Sequence, residues 1–211
     1  MEFFDEVYRG VPPWEIGEPQ PAFVRLEAAG EIVGRVLDAG CGTGENALYF
    51  AGRGHETWGV DFAPTAIAKA REKARARSLP VTFRAGSALD LPSLRQRFDT
   101  ITDSGLFHTF LDRHRPQYAA SVASALVPGG RFFLLCFSED EPLDWGGPRR
   151  VSREEIRATF REGWKVRWIR KERFATRLEG VTGRAWLAAL RTYGEREPAR
   201  VVGPASGDEP G

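Results

Sequence analysis

From Gly34 onward, short runs of apolar and β-branched residues alternate with longer segments whose apolar positions recur at helical spacing. "GRVLDA" reads as a buried strand, "ENALYFAGRG" as a helix ending at glycine, and "ETWGVD" as a second strand. "PTAIAKAREKARARS" follows as a helix with proline in its first turn. Next come a strand at "VTFRAG", a short helical connection near "LPSLRQR", and a fourth strand at "FDTITDSG". "RPQYAASVASALVPGG" predicts a helix stopped by Pro128 and the glycines after it, and "RFFLLCFS" is the most apolar strand of the set. Such alternation is the pattern of parallel βαβ units in an α/β fold.

The pattern then changes. "VSREEIRATFREG" carries a capping box, Ser152 with Glu155, that opens another helix. "WKVRWIRKERF" alternates as a strand does, and "GRAWLAALRTY" predicts a last strand or a short helix. Two late strands so close together imply an antiparallel hairpin at the sheet edge, not another crossover. Residues 1–30 hold four prolines and Trp14 and precede the sheet, so they are expected to form an arm or lid. Residues 31–193 would make one domain, and residues 194–211, rich in proline, glycine and charge, a disordered tail.

Composition narrows the function classes. The 211 residues are 42% hydrophobic and 11% aromatic, enough for one substantial core. Thirty basic residues against 29 acidic ones give a net charge of +1, which lacks the basic footprint of a nucleic-acid binder. The opening "MEFFDEVYRG" is acidic and too poor in apolar residues for a signal peptide, and "FFLLCF" is too short to span a bilayer. A soluble cytoplasmic protein is expected. Cys41 and Cys136 have no partners at metal-ligand spacing, so no metal site is expected. One strand should separate them by about 10 Å, which leaves both as free thiols.

The candidate chemistry centres on "VLDAGCGTGENALYF". A strand, a glycine turn and a helix make a ligand crevice at the carboxyl end of a parallel sheet. Gly40, Gly42 and Gly44 supply the turn, but Glu45 stands where the third glycine of a dinucleotide fingerprint belongs. Asp38 and Glu45 would both repel a pyrophosphate and attract a cation. Asp61 closes the next strand, where an acid can accept both hydroxyls of a ribose, and Phe62 lies beside it for an adenine. The implied ligand is a cationic ribonucleoside without phosphate, a description that S-adenosyl-L-methionine meets.

"VLDAGCGTG" followed by "GVDFAP" resembles the class I S-adenosylmethionine-dependent methyltransferases, over roughly Phe3 to Phe174. The resemblance implies a Rossmann-like seven-stranded sheet of order 3-2-1-4-5-7-6 with helices on both faces. It also implies adenine contacts from Ser87 and Ala88, although Ser87 departs from the family's usual acid. The opening "YRGVPPWEIGEPQP" resembles that of thiol, halide and thiopurine methyltransferases and of actinobacterial enzymes that methylate heterocyclic toxins such as quinolones. In these relatives the arm folds over the cofactor, with Trp14 at the position of its aromatic.

The fourth strand ends in "DSGLFHTF", without the Asn/Asp-Pro-Pro-aromatic motif of the family's nucleobase and glutamine methylating members. A small-molecule acceptor is therefore expected. His108 stands at this mouth as a general base, with an ordinary pKa near 6.5, or as a structural histidine. Asp103 is expected to hold the cofactor's ammonium, to bind a substrate donor, or to support the turn. Phe107 and Trp145 are candidate aromatic walls, although a loop tryptophan can also pack on its own loop. The leading expectation is methyl transfer to O or N of a small aromatic heterocycle. A thiol or halide methyltransferase, which needs no base, is the alternative. More remote are an NAD-dependent oxidoreductase and a non-catalytic nucleoside-binding module.

Overall fold

The computed structural model describes residues 2–142, 148–177 and 182–193. Its elements are α1 (Glu2–Val7), α2 (Pro21–Ala28), β1 (Val36–Ala39), α3 (Glu45–Gly52), β2 (Thr57–Asp61), α4 (Pro64–Ala76) and β3 (Val81–Ala85). They continue with β4 (Phe98–Ser104), α5 (Arg115–Ala125), β5 (Leu126–Phe137), α6 (Arg153–Thr159), β6 (Trp164–Ala175) and β7 (Thr182–Thr192). A 3-10 segment, Ala88–Leu94, stands between β3 and β4 where the short helical connection is expected. The chain predicted to be disordered at 194–211 lies outside the described residues.

One seven-stranded sheet runs in the order β3-β2-β1-β4-β5-β7-β6, as the resemblance implies. The first five strands are parallel, whereas β7 pairs antiparallel with both β5 and β6. This settles the "GRAWLAALRTY" segment as a strand. Wedged between two neighbours, it hydrogen-bonds along both edges and keeps Ala185 to Leu190 buried, which a short helix could not do. The crossovers put all five parallel carboxyl ends on one rim, and that rim carries the site.

Each sheet face has its own core. On one face Leu37, Phe98, Tyr118, Phe132, Phe160 and Trp164 pack together. On the other, Phe23, Val36, Phe50, Phe133, Leu135 and Leu187 do so. Phe23 belongs to α2, where it is buried together with Ala22 and Leu26. A fully buried phenylalanine contributes about 1.5–3 kcal/mol, so α2 is a permanent part of the helical layer. The expected 30-residue arm is accordingly shorter: the segment outside the layer ends at Gln20. Both cysteines are buried free thiols, on β5 and just after β1, with β4 between those strands.

The outer strand β6 exposes Lys165, Arg167, Arg170, Lys171 and Arg173. Among the described residues no helix is long and apolar enough to cross a membrane. Before α6, Ser152 Oγ accepts from Glu155 N at 3.1 Å and Glu155 Oε2 accepts from Ser152 N at 2.7 Å, completing the capping box. Replacing Ser152 with Ala should cost about 1 kcal/mol of stability, read as a lower midpoint in chemical denaturation with an unchanged slope.

Candidate functional site

The site is built where β1 ends. Gly40 and Cys41 both donate their backbone N–H to Val60 O, at 2.8 and 3.0 Å, which turns the chain across the end of β2. Gly40 has φ +72, and a Cβ there would lie 2.8 Å from Leu106 Cβ, so only glycine fits. Gly42 and Gly44 also have positive φ. Asp61, at the end of β2, fixes the loop: Oδ2 accepts from Gly42 N and Oδ1 from Ala63 N, both at 2.9 Å. Each carboxylate oxygen retains acceptor capacity for a further donor. Beside it Phe62 is 42% exposed, Ala88 is buried, and Ser87 Oγ accepts from Leu89 N at 3.2 Å.

Asp38 points into the molecule from β1 and is only 1% exposed. Its Oδ1 accepts from Thr102 Oγ1 at 2.9 Å, but Oδ2 is buried with no hydrogen-bond partner among the described residues. Burial raises its pKa to about 7; the Asp103 and Asp61 carboxylates push the same way, while Thr102 and Asn46 pull it back. An orphaned buried carboxylate oxygen at the rim is an acceptor awaiting a donor, and an ammonium group answers it. The residues present therefore fit a cationic nucleoside.

Glu45 does not join it, which corrects the expectation that both acids face the ligand. Its carboxylate is held by Lys73 at 2.7 Å and Arg77 at 2.8 Å. Burial opposes ionisation, but those hydrogen bonds from Arg77 and Lys73 outweigh it and hold the group below the usual range. Instead the arm brings an acid to the loop: Glu15 Oε1 accepts from Thr43 N at 3.2 Å, and Oε2 accepts from Thr43 Oγ1. Tyr8 is 5% exposed, and its hydroxyl lies 2.7 Å from where a Gly42 Cβ would stand. Trp14 supports Tyr8 from behind, donating Nε1–H to Tyr8 Oη at 3.0 Å and meeting Phe4 and Tyr8 edge to face. The arm residues that reach the loop are thus Tyr8 and Glu15, with Trp14 behind them.

At the end of β4, three assignments change. Asp103 is fully buried: Oδ1 accepts from Leu106 N at 2.8 Å, and Oδ2 from Phe107 N at 3.1 Å and Tyr118 Oη at 2.6 Å. Burial lifts its pKa to about 7. Fully buried, with Phe107 N also reaching Oδ1 at 3.3 Å, it spends both oxygens on its own turn and on Tyr118, which fits the turn-supporting role and not a catalytic or cofactor-binding one. Phe107 is fully buried between Tyr118 and Phe160 with Arg115 4.6 Å over its ring; it is core, not a substrate wall.

His108 is 5% exposed and lies flat against Phe137, with ring centroids 5.0 Å apart and planes at 8°. Phe137 N donates to its Nδ1 at 3.1 Å. A backbone N–H can only donate, so Nδ1 is unprotonated and the neutral ring carries its proton on Nε2. Burial, then the charges of Arg150 and Arg115, lower its pKa to about 3. With one nitrogen occupied and the other protonated, His108 has no free lone pair to act as a general base. Phe174 completes the aromatic group, 4.9 Å from Phe137 and 6.1 Å from His108. Trp145 lies outside the described residues. The residues that sequence reasoning missed are Thr102, Tyr8, Glu15, Phe137 and Phe174; the arm's "YRGVPPWE" was the only available signal for Tyr8 and Glu15.

Comparison with known proteins places the fold and sequence among methyltransferases. The family model for a methyltransferase domain matches residues 36–130. The chain is 40% identical over 176 residues to a 2-heptyl-1-hydroxyquinolin-4(1H)-one methyltransferase of Mycobacteroides abscessus, covering 79% of this chain and 78% of the relative. It is 31% identical over 150 residues to a probable thiol methyltransferase of Arabidopsis thaliana, covering 69% of this chain and 65% of that one. A structure solved for the conversion of a disulfide bond into a thioacetal group during echinomycin biosynthesis superposes with a TM-score of 0.84 at 39% identity, covering 92% of each chain.

Asp38 links stability to pH. Its folded pKa, about 7, lies above the ordinary 3.8, so the folded state holds the proton more tightly. The stabilising contribution is complete below pH 3.8 and is lost as pH rises through about 7. Asp38→Asn, which does not titrate, should gain on the wild type across that window, by on the order of 1–3 kcal/mol at pH 8. Denaturation midpoints at several pH values measure the gap; a gap that shrinks with rising pH would refute the buried, partnerless carboxylate.

Proposed function

This chain belongs to the class I S-adenosylmethionine-dependent methyltransferases, and on that premise we propose that it methylates an oxygen or nitrogen of a small aromatic heterocycle of the quinolone kind. The observation that carries the acceptor class is the 40% identity to the hydroxyquinolinone methyltransferase, which extends over most of both chains. The aromatic group formed by His108, Phe137 and Phe174 supports it, because flat apolar surfaces stack well on a planar heterocycle.

S-adenosylmethionine, when bound, supplies an electrophilic methyl group on a sulfonium. In this reading Asp38 Oδ2 receives its ammonium group, Asp61 its ribose hydroxyls, and Phe62, Ser87 and Ala88 border its adenine. Gly40, Gly42 and Gly44 let the backbone approach closely, while Tyr8 and Glu15 close the arm over that side. The chain's work is then alignment and exclusion of water, which serve an in-line displacement well. A sulfur acceptor is the second reading, favoured by the structure from echinomycin biosynthesis.

The test is incubation with S-adenosylmethionine and a panel of 1-hydroxyquinolin-4-ones, phenols, azoles and thiols, scored by mass for methyl addition. Methylation of quinolones, with thiols inert, is the expected result; thiols alone methylated would replace it with the second reading. Asp61→Ala should weaken S-adenosylhomocysteine binding in calorimetry by about 1.5–3 kcal/mol through lost charged hydrogen bonds. Unchanged affinity would remove Asp61 from the ribose site.

A further inference from the structure

The imidazole at the mouth has a fixed polarity. Phe137 N occupies Nδ1, so the proton is on Nε2, across the ring from the β5 backbone. His108 keeps 5% of its surface exposed, and the hydrogen bond that engages its ring among the described residues is the one from Phe137 N to Nδ1, which leaves Nε2–H as a donor open to a ligand. A donor whose orientation is fixed and that no protein acceptor occupies is available to an acceptor on a bound ligand.

Its position suits that ligand. Gly105, with φ +82, leaves room for the ring: a Cβ there would stand 3.3 Å from His108 Cε1 and 3.0 Å from Phe174. Leu106, two residues before the histidine, packs on Gly40 of the glycine loop. The charges that act on the ring are cationic. Arg150 comes from the connection after β5 and lies 5.6 Å over the Phe137 ring, and Arg115 comes from α5. The nearby acids are engaged elsewhere: Glu155 with Arg115 and Arg149, Asp112 with Arg149, and Asp103 with its own turn and Tyr118.

We propose that His108 is a hydrogen-bond donor, not a base, and that through Nε2–H it selects the acceptor in its anionic form. The inference rests on the methyltransferase reading above and names the substrate state that reading leaves open: an acidic N-hydroxyl, phenol or thiol, already deprotonated. The acceptor's proton goes to solvent before binding. A lone pair of the bound anion forms the new bond to the methyl carbon, the carbon–sulfonium bond breaks with its electron pair going to sulfur, and no proton passes to His108. Neutral azoles and amines lack the negative charge that this donor favours, and are disfavoured.

The experiment has two arms. Nitrogen NMR of the protein labelled at histidine, without acceptor, should show His108 in the Nε2–H form and unchanged from about pH 5 to 9, the interval in which an ordinary histidine titrates. The second arm measures kcat/KM against pH for 1-hydroxyquinolin-4-ones whose acidity is varied by ring substituents. The inflection should move with the acceptor's own pKa. H108N, which retains an N–H donor and an oxygen to accept from Phe137, should keep most of the activity, and H108L should lose roughly 10- to 100-fold. An inflection that stays fixed as acceptor acidity changes, a ring that titrates, or the Nδ1–H tautomer would overturn the assignment. No methylation of any acidic acceptor would fail the functional reading itself, an outcome distinct from turnover with a fixed inflection.

Discussion

The site depends on a close approach at Gly40. Two successive amides, from Gly40 and Cys41, converge on one carbonyl at the end of β2, while Leu106 presses from the far side of β1. No side chain fits between them. Because the backbone turns so tightly, Asp38 stays one residue inside the sheet edge, Gly42 comes within reach of Asp61, and α3 begins immediately beyond the loop. The depth of Asp38, the reach of Asp61 and the direction of α3 all follow from that one turn.

Charge placement then separates two acids that are close in sequence. Asp38 faces inward, where desolvation penalises its ionisation and one oxygen finds no donor. Glu45 faces α4, where Lys73 and Arg77 neutralise it. A carboxylate already paired offers little to an incoming cation; one left unpaired in low dielectric gains the most from it. Of these two acids only Asp38 presents an unpaired oxygen inward, with the hydrogen-bonded Asp61 carboxylate at the end of the next strand.

The sheet and its order were legible because strand and helix periods alternate cleanly through "GRVLDA" to "RFFLLCFS", and because a short link between two late strands permits only a hairpin. The positions of the glycine loop, Asp38 and Asp61 were legible for the same local reason: they stand at strand ends. What could not be read depends on side-chain direction across long separations. Helical period does not say that Glu45 points to residues 28 and 32 positions away. Nor does the pattern "DSGLFHTF" reveal that Phe107 faces the core, that Asp103 is spent on its own turn, or that an amide 29 residues later fixes the His108 tautomer. Tyr8, Glu15 and Trp14 all lie within a few residues, and only packing decides which of them reaches the loop.

The cations exposed along the edge strand β6 bear on the sheet as a whole. A terminal strand offers unpaired amides and carbonyls to any other extended chain, and a like strand from a second copy would dock at about 4.8 Å. Five exposed lysines and arginines along twelve residues would then meet their own kind across that gap. Repulsion along the strand therefore works against an eighth strand, and at the carboxyl end of β6 the Gln20 side chain occupies both backbone groups of Ala175.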